Sequence, residues 1–340
     1  MYRLKRYLTM RNAALRNAWL EMEREGNISS FLYFDYVREI FRQTAWLNPA
    51  YIPMIYCLVD EQGEICAIAP MKLNVGKRRW KLLGDIQGSG EAGWLVRRDA
   101  SEEEKRLMVG QLLAHFGKRK MQMRRVLTPS TLSAQLEDKG GWRCVMPTEC
   151  VRIDFGDNID AHLKGLKSSV RQNIRTAYNR LNRDNKQYSL QIFDRQTIDQ
   201  ATWDEMMDIY LKRLFDKYKQ KKANNALKKR ERYFFYRHFK HDTRSLQLLS
   251  NTWHAVLRID GKLAAFMSGF VNHSGTEIVI PRLAIDASFS FYSPGYILIC
   301  EALRTLADKT QVRTLGLSRG EEKYKYDLGG TAYQTLDFEP

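Results

Sequence analysis

The stretch from His254 to the C-terminus constrains the fold most, because its apolar residues change period from strand to helix and back. His254–Ile259 and Leu263–Val271 alternate in strand fashion around Asp260-Gly261-Lys262, which has the chemistry of a hairpin turn, and Thr276–Ile285 continues as a further strand. Phe291-Tyr292-Ser293-Pro294-Gly295 then leads into an apolar helix reaching Ala307. Ser293 suits an N-cap, and Pro294 suits the first helical position, where its missing N–H would be unpaired anyway. A strand over Arg313–Leu317, a polar segment from Ser318 to Tyr326, the pair Gly329-Gly330 and a final strand complete the order. An antiparallel meander followed by a crossover helix and another strand is an α+β arrangement.

Upstream, Cys150–Phe155 reads as a strand. In the helix after it Leu163, Leu166, Val170, Ile174, Ala177 and Leu181 recur at spacings of three and four, with Lys164, Lys167, Arg171, Arg175, Arg180 and Arg183 on the opposite flank. A second helix presents Trp203, Met206, Met207, Tyr210, Leu214 and Phe215, and a third runs through Tyr233–Phe239. The charged segment Lys217 to Arg232 between them reads as an exposed connection or a solvated helical extension. The first half gives a helix over Phe31–Trp46, a hairpin of Pro53–Asp60 and Glu64–Leu73, and a strand near Trp80–Leu83. A helix over Ser101–Phe116 with a Ser101/Glu104 capping box follows, then a strand near Arg124–Thr128 and a short helix over Pro129–Glu137. A length of 340 residues suits two domains of roughly 150 each.

The net charge of +16 is uneven: His162 to Arg244 holds 21 Lys and Arg against 9 Asp and Glu, so +12 falls in that region. Such a concentration favours an acidic partner, whether a phosphorylated cofactor, a nucleic acid or an anionic membrane surface. Five cysteines without CxxC spacing read as reduced thiols. No run approaches the ~18 apolar residues of a membrane span, and Met1 to Leu20 is broken by Arg11, Arg16 and Asn17. A cytoplasmic protein without a transmembrane segment is expected.

Three elements together resemble the GNAT-like acyltransferases of the CelD type, bacterial proteins tied to cellulose and exopolysaccharide biosynthesis and related in fold to Fem transferases. Ser168-Ser169-Val170-Arg171-Gln172-Asn173-Ile174-Arg175 with Tyr178 to Leu181 is similar to the family's basic helix. Tyr292-Ser293-Pro294-Gly295 with Leu298 is similar to its Ser-Pro-Gly turn, and Arg319-Gly320-Glu321-Glu322-Lys323-Tyr324-Lys325 to its Arg-Gly-Asp-Glu-x-Tyr-Lys signature, with Glu321 in place of Asp. The resemblance is strongest over residues 150–330. It implies two tandem GNAT-like domains, each a mostly antiparallel mixed sheet flanked by helices. Residues 1–149 would form a degenerate one; residues 150–340 would hold the acyl-CoA site and the basic helical region at 162–244. The Gln/Arg-x-x-Gly-x-Gly/Ala loop of ordinary GNAT enzymes is missing apart from Gly295.

GNAT-type transfer needs a donor and acceptor held together, an oxyanion stabilised and a proton removed, without a covalent nucleophile. Ser293, Pro294, Gly295 and Tyr296 would place a pyrophosphate on a helix start, although apart from the resemblance Ser-Pro-Gly reads mostly as a plain helix start. Pro281 cannot donate to a β ladder and favours a bulge or splayed edge, beside which a backbone N–H of Arg282 or Leu283 would meet the thioester oxygen. Glu277, His273 and Asp286 are the candidates for proton removal, and Tyr292 for protonating the leaving thiolate. Arg319 and Lys325, with Tyr324, would bind substrate phosphate or carboxylate, Lys325 acting also in catalysis. Arg171 and Arg175 are substrate-binding candidates whose plain alternative is a solvated helix face. No metal is expected.

The leading expectation is an acyltransferase moving an acyl group, in the first place acetyl, from CoA to an amine or hydroxyl of a sugar or polysaccharide precursor. The alternatives are a Fem-like transferase taking aminoacyl-tRNA, and a non-catalytic scaffold of polysaccharide synthesis with peripheral membrane contact. Stabilisation by acetyl-CoA favours the first, salt-sensitive tRNA binding the second, and neither the third.

Overall fold

The computed structural model describes residues 2–340 except 26–27, 48, 87–88, 118–120, 139–140 and 221–248. The helix expected over Tyr233–Phe239 and residues 221–232 of the charged segment lie outside the described residues. In chain order the elements are β1 (Arg3–Tyr7), α1 (Ala13–Glu25), α2 (Phe34–Leu47), β2 (Tyr51–Val59), β3 (Ile65–Asn74), β4 (Arg79–Leu82) and β5 (Leu95–Val96). There follow α3 (Glu102–Phe116), β6 (Met121–Thr128), α4 (Thr131–Asp138), β7 (Arg143–Asp154), α5 (Ile159–Gly165), α6 (Ser168–Arg183), β8 (Tyr188–Asp194) and α7 (Gln200–Gln220). The chain ends with β9 (Thr252–Ile259), β10 (Lys262–Val271), β11 (Glu277–Ile285), α8 (Pro294–Lys309), β12 (Thr314–Arg319), α9 (Lys323–Asp327) and β13 (Thr331–Glu339). These form two compact units, Met1–Cys150 with Ala332–Pro340, and Val151–Thr331.

In the first unit the strand order is β1-β2-β3-β4-β6-β13-β7, with β5 on β3. The expected hairpin is β2 and β3, in register from Tyr51↔Asn74 to Leu58↔Ala67 and shifted by one residue at Val59↔Ile65. Helix α3 links the parallel pair β4 and β6 and opens with the expected capping box, the Ser101 hydroxyl accepting from the Glu104 amide and the Glu104 carboxylate from the Ser101 amide. Its buried Met108, Leu112 and Phe116 join Tyr56, Leu58 and Trp94 in one core. Beyond the short pairing of β4 with β6, the chain itself enters: the Ala92 amide donates to the Arg125 carbonyl at 2.8 Å, and Ala92 bridges Val126. A Cβ on Gly84 would lie 3.1 Å from that of Ala92. The last strand departs from the expected grouping with residues 150–340, since β13 pairs with β6 (Gln334↔Thr128, Phe338↔Met123).

In the second unit β12-β11-β10-β9-β8 is the strand order. One sheet face packs against α6 and α8, where Val170, Ile174, Ala177 and Leu181 meet Leu298, Ala302, Leu303 and Leu306. Burying a Val, Leu or Ile side chain contributes about 1.5–3 kcal/mol, which makes the three-and-four spacing of α6 decisive for its position. The other face carries α7, with Trp203, Met206 and Met207 against Val256, Phe266 and Ala284. Two local features depart from the sequence reading. The single helix expected over Leu163–Leu181 breaks at Leu166 into α5 and α6. β8 escaped notice because most of its side chains are exposed and impose no apolar alternation.

Pro281 has the effect its chemistry predicts. β11 pairs with β12 in parallel only over Glu277–Val279 and Thr314–Gly316. The β10–β11 register shifts between Ser268 and Phe270 at the same level, and a Cβ on Gly269 would lie 2.0 Å from the Val279 carbonyl oxygen. Glycine is required there by that close approach. Past this point β11 and β12 are no longer paired, and the gap between them begins the candidate site.

Candidate active site

The gap is bordered by backbone whose direction follows from the ladder. The Asp286 amide donates to the Ala264 carbonyl at 2.9 Å, so by alternation Ala284 and Arg282 turn their polar groups toward β10. Leu283 and Ile285 turn theirs the other way. The Leu283 carbonyl accepts from the Arg213 guanidinium, which fixes that direction independently, and the Leu283 amide shares it. Of the two amides considered for a thioester oxygen, Leu283 faces the gap; Arg282, paired with Ser268, faces β10.

A cavity of about 460 Å³ lies at this place, lined by Arg213, Leu283, Ile285, Ala287, Ser290, Ser293, Gly295, Tyr296 and Tyr324. An adjoining cavity of about 150 Å³ shares Arg213, Ile285 and Ala287 and adds Lys212 and Asp286. The start of α8 reaches the cavity because position 295 is glycine: a Cβ would sit 2.9 Å from Ile285 Cδ1. Ser293 precedes Pro294 as expected but is left-handed (φ 49°) and makes no side-chain capping bond, so its hydroxyl is not committed to the first turn. Burial foremost, then the Asp327 carboxylate, raises the Tyr296 phenol above its ordinary value.

The signature from Arg319 to Lys325 is a folded knot. Lys325 is 2 % exposed, and its ammonium donates to the carbonyls of Ser318 (3.4 Å), Arg319 (2.9 Å) and Gly320 (3.1 Å) and to Glu322 Oε2 (3.0 Å). Those contacts direct Lys325 inward to its own loop, in place of the substrate anion expected for it. Burial opposes the Glu322 charge, but the Lys325 ammonium holds that carboxyl below its ordinary value. Ser318 (φ 53°) and Gly320 (φ 118°) supply the turn that brings three carbonyls to one point. The knot carries Tyr324 to the cavity, where burial foremost, then Glu322, pushes the phenol up to about 12. Arg319 stays exposed, next to the knot.

The remaining candidates are not brought together. Tyr292 donates to Asp184 Oδ2 at 3.0 Å, and burial and that carboxylate raise its phenol. Glu277 stands six strand residues before Leu283, about 20 Å along β11. Arg171 donates to the carbonyls of Lys164 and Leu166, both at 2.7 Å, closing the end of α5, while Arg175 is exposed on α6. Arg213, Ile285, Ala287 and Ser290 were missed, since the spacing within α7 does not show which of its cations meets a strand end. Phe291 beside the cavity is also new: its half-exposed ring lies 4.6 Å from the Arg180 guanidinium and 5.5 Å from that of Arg183. Among the described residues no cluster of His, Cys, Asp and Glu could hold a metal ion, and no helix is long and apolar enough to cross a membrane.

Residues 168–326 match the family described as an acetyltransferase (GNAT) domain. A search of curated proteins gives no significant match. Among solved structures the chain is similar to FemX, with a TM-score of 0.61 and 10% identity over 98% of this chain and 96% of the other. It is also similar to a tandem GNAT protein from the clavulanic acid biosynthesis pathway (TM-score 0.53, 14% identity, 99% and 97% covered). L-PGS from Bacillus licheniformis gives 0.55 and 13% over 98% and 93%. At these identities the likeness is one of fold: the chain is an α+β protein of tandem GNAT architecture.

Proposed function

We propose that the second unit, a GNAT-fold acetyltransferase domain by its match over residues 168–326, is an acyltransferase using acyl-CoA. The observation that carries this reading is the cavity at the parting of β11 and β12, onto which both the Leu283 edge and the start of α8 open. A thioester placed there would meet the Leu283 amide at its carbonyl oxygen, and the α8 start would hold pyrophosphate. The acceptor amine or hydroxyl attacks the thioester carbon, the acyl–sulfur bond breaks, and the thiolate takes a proton. Tyr324, at the cavity wall, is placed to donate that proton, the role expected of Tyr292. Asp286, in the adjoining cavity, is better placed than Glu277 to accept the proton from the acceptor. Lys325 acts by positioning Tyr324. In the first unit Ala92 fills the equivalent gap, which supports reading that unit as degenerate.

The resemblance to the CelD type directs the acceptor toward a sugar or polysaccharide precursor and the acyl group toward acetyl. Calorimetric titration with acetyl-CoA and longer acyl-CoAs tests the donor. Gly295→Asp is expected to weaken binding about tenfold or more through its charge at the anion site, with Gly295→Ala separating the steric part. Phe291 with Arg180 and Arg183 would receive the adenosine 3′-phosphate. Dephospho-CoA, lacking that phosphate, should then bind about tenfold more weakly than CoA. Absence of acyl-CoA binding, with tRNA binding that collapses as salt rises, would instead select the Fem-like alternative. Tyr324→Phe should lower turnover about a hundredfold at unchanged donor affinity, the range of a lost general acid. An unchanged rate would remove Tyr324 from the chemistry.

A further inference from the structure

One end of the first unit's sheet gathers exposed apolar residues and uncompensated positive charge. Trp46, near the end of α2, is 82 % exposed, and Ile52 at the start of β2 is 44 % exposed. Val75, in the β3–β4 turn, is 47 % exposed and its amide donates to the Ala50 carbonyl at 3.0 Å, which brings the turn beside the α2–β2 connection. Leu8 (57 % exposed) follows Tyr7, whose partner Ile55 is three residues from Ile52. Trp46 is four residues from Ala50, within about 14 Å by chain reach. Four of the eleven large exposed apolar side chains among the described residues therefore converge on this end.

The charge there is one-sided. Residues 8–12, 44–52 and 74–79 contain Arg11, Lys77, Arg78 and Arg79 and no Asp or Glu. Arg11, Lys77 and Arg78 are exposed, and none makes an ion pair with another described residue. Arg78 is moreover held at φ 49°, the tip of a tight turn. An exposed tryptophan flanked by aliphatic tips and a basic turn matches the interface of an anionic bilayer, where an indole sits at headgroup depth and each cation near the surface adds attraction to the lipid charge. A protein partner with an apolar socket would bury such a tip too, but uniform positive charge without acidic counterparts specifies a surface of diffuse negative charge. Two copies of this patch would repel each other.

We propose that this end of the first unit docks the protein peripherally on anionic phospholipid membrane, Trp46 inserting among the headgroups and Lys77 and Arg78 contacting lipid phosphates. Docking is independent of the acyl-CoA site, so its failure leaves the proposed activity untouched. Sedimentation of the full chain with vesicles of mixed phosphatidylglycerol and phosphatidylcholine, and with phosphatidylcholine alone, reads it directly. Binding is expected to the mixed vesicles only and to weaken with salt. Trp46→Ser and the pair Lys77→Glu with Arg78→Glu should each reduce it about tenfold or more, with melting temperature unchanged because all three side chains are exposed. No sedimentation with anionic vesicles at low salt overturns the proposal. So does sedimentation insensitive to both variants, or a concentration-dependent dimer that only Trp46→Ser dissolves.

Discussion

Lys325→Met is expected to destabilise the second unit by about 3 kcal/mol, because three carbonyls and a carboxylate lose one shared charged donor while the methylene stem is kept. Lys325 Nζ lies 2.9 Å and 3.1 Å from the Arg319 and Gly320 carbonyls and 3.0 Å from Glu322 Oε2. Solvent reaches Glu322, whose side chain is 42% exposed, so most of the loss should come from the carbonyls. Urea unfolding measures it: the midpoint should fall at constant slope, and Glu322→Gln should have a much smaller effect. The cavity should also lose its Tyr324 wall, so acyl-CoA affinity should fall in the folded variant. A midpoint matching the parent would show that the ammonium is not what holds the knot. A substrate-binding lysine would give the opposite pattern, lost turnover with full stability.

Acid should weaken the fold through His254. This residue of β9 is 1 % exposed, its Nδ1 lies 2.9 Å from Ser268 Oγ, and its ring meets Trp203 of α7 at 5.6 Å. Burial foremost, then the Arg282 guanidinium, brings its pKa from 6.5 down to about 3, with Asp194 opposing. Between those values the unfolded chain binds a proton that the folded one refuses. The stability is therefore complete above pH 6.5 and is lost as pH falls toward 3, by about 1.4 kcal/mol per pH unit at the steepest. His254→Gln keeps a polar partner for Ser268 but cannot titrate. Unfolding free energy followed from pH 7 to pH 4 should fall less in that variant, and identical slopes would mean that His254 does not govern the acid limb.

The two experiments concern residues that differed in how far the sequence revealed them. Lys325 stood out through its signature, yet its partners did not, since the carbonyls of residues 318–320 converge only through positive φ at Ser318 and Gly320. His254 could be placed on a strand, but not its neighbours from β10, β11 and α7. Pro281 was legible in both respects, because a residue without an N–H interrupts a ladder wherever it is placed. The Ser-Pro-Gly helix start was legible as well, and the side-chain cap expected of Ser293 was not formed, because the turn before it holds the residue left-handed.

What the sequence determined by itself is what short-range spacing controls: the β2–β3 and β9–β10 hairpins, the capped α3, the apolar stripe of α6 and the helix start at Pro294. Neighbours a few residues apart decide these, so their pattern survives in one dimension. Only the tertiary structure decided that β13 returns to β6, that Arg213 of α7 meets the Leu283 carbonyl, and that Tyr324 stands at the cavity while Tyr292 turns to Asp184. Each depends on the meeting of segments far apart in the chain. Such contacts are selected by the packing of whole faces and the satisfaction of buried polar groups, and neither leaves a periodic mark on the residues that make them.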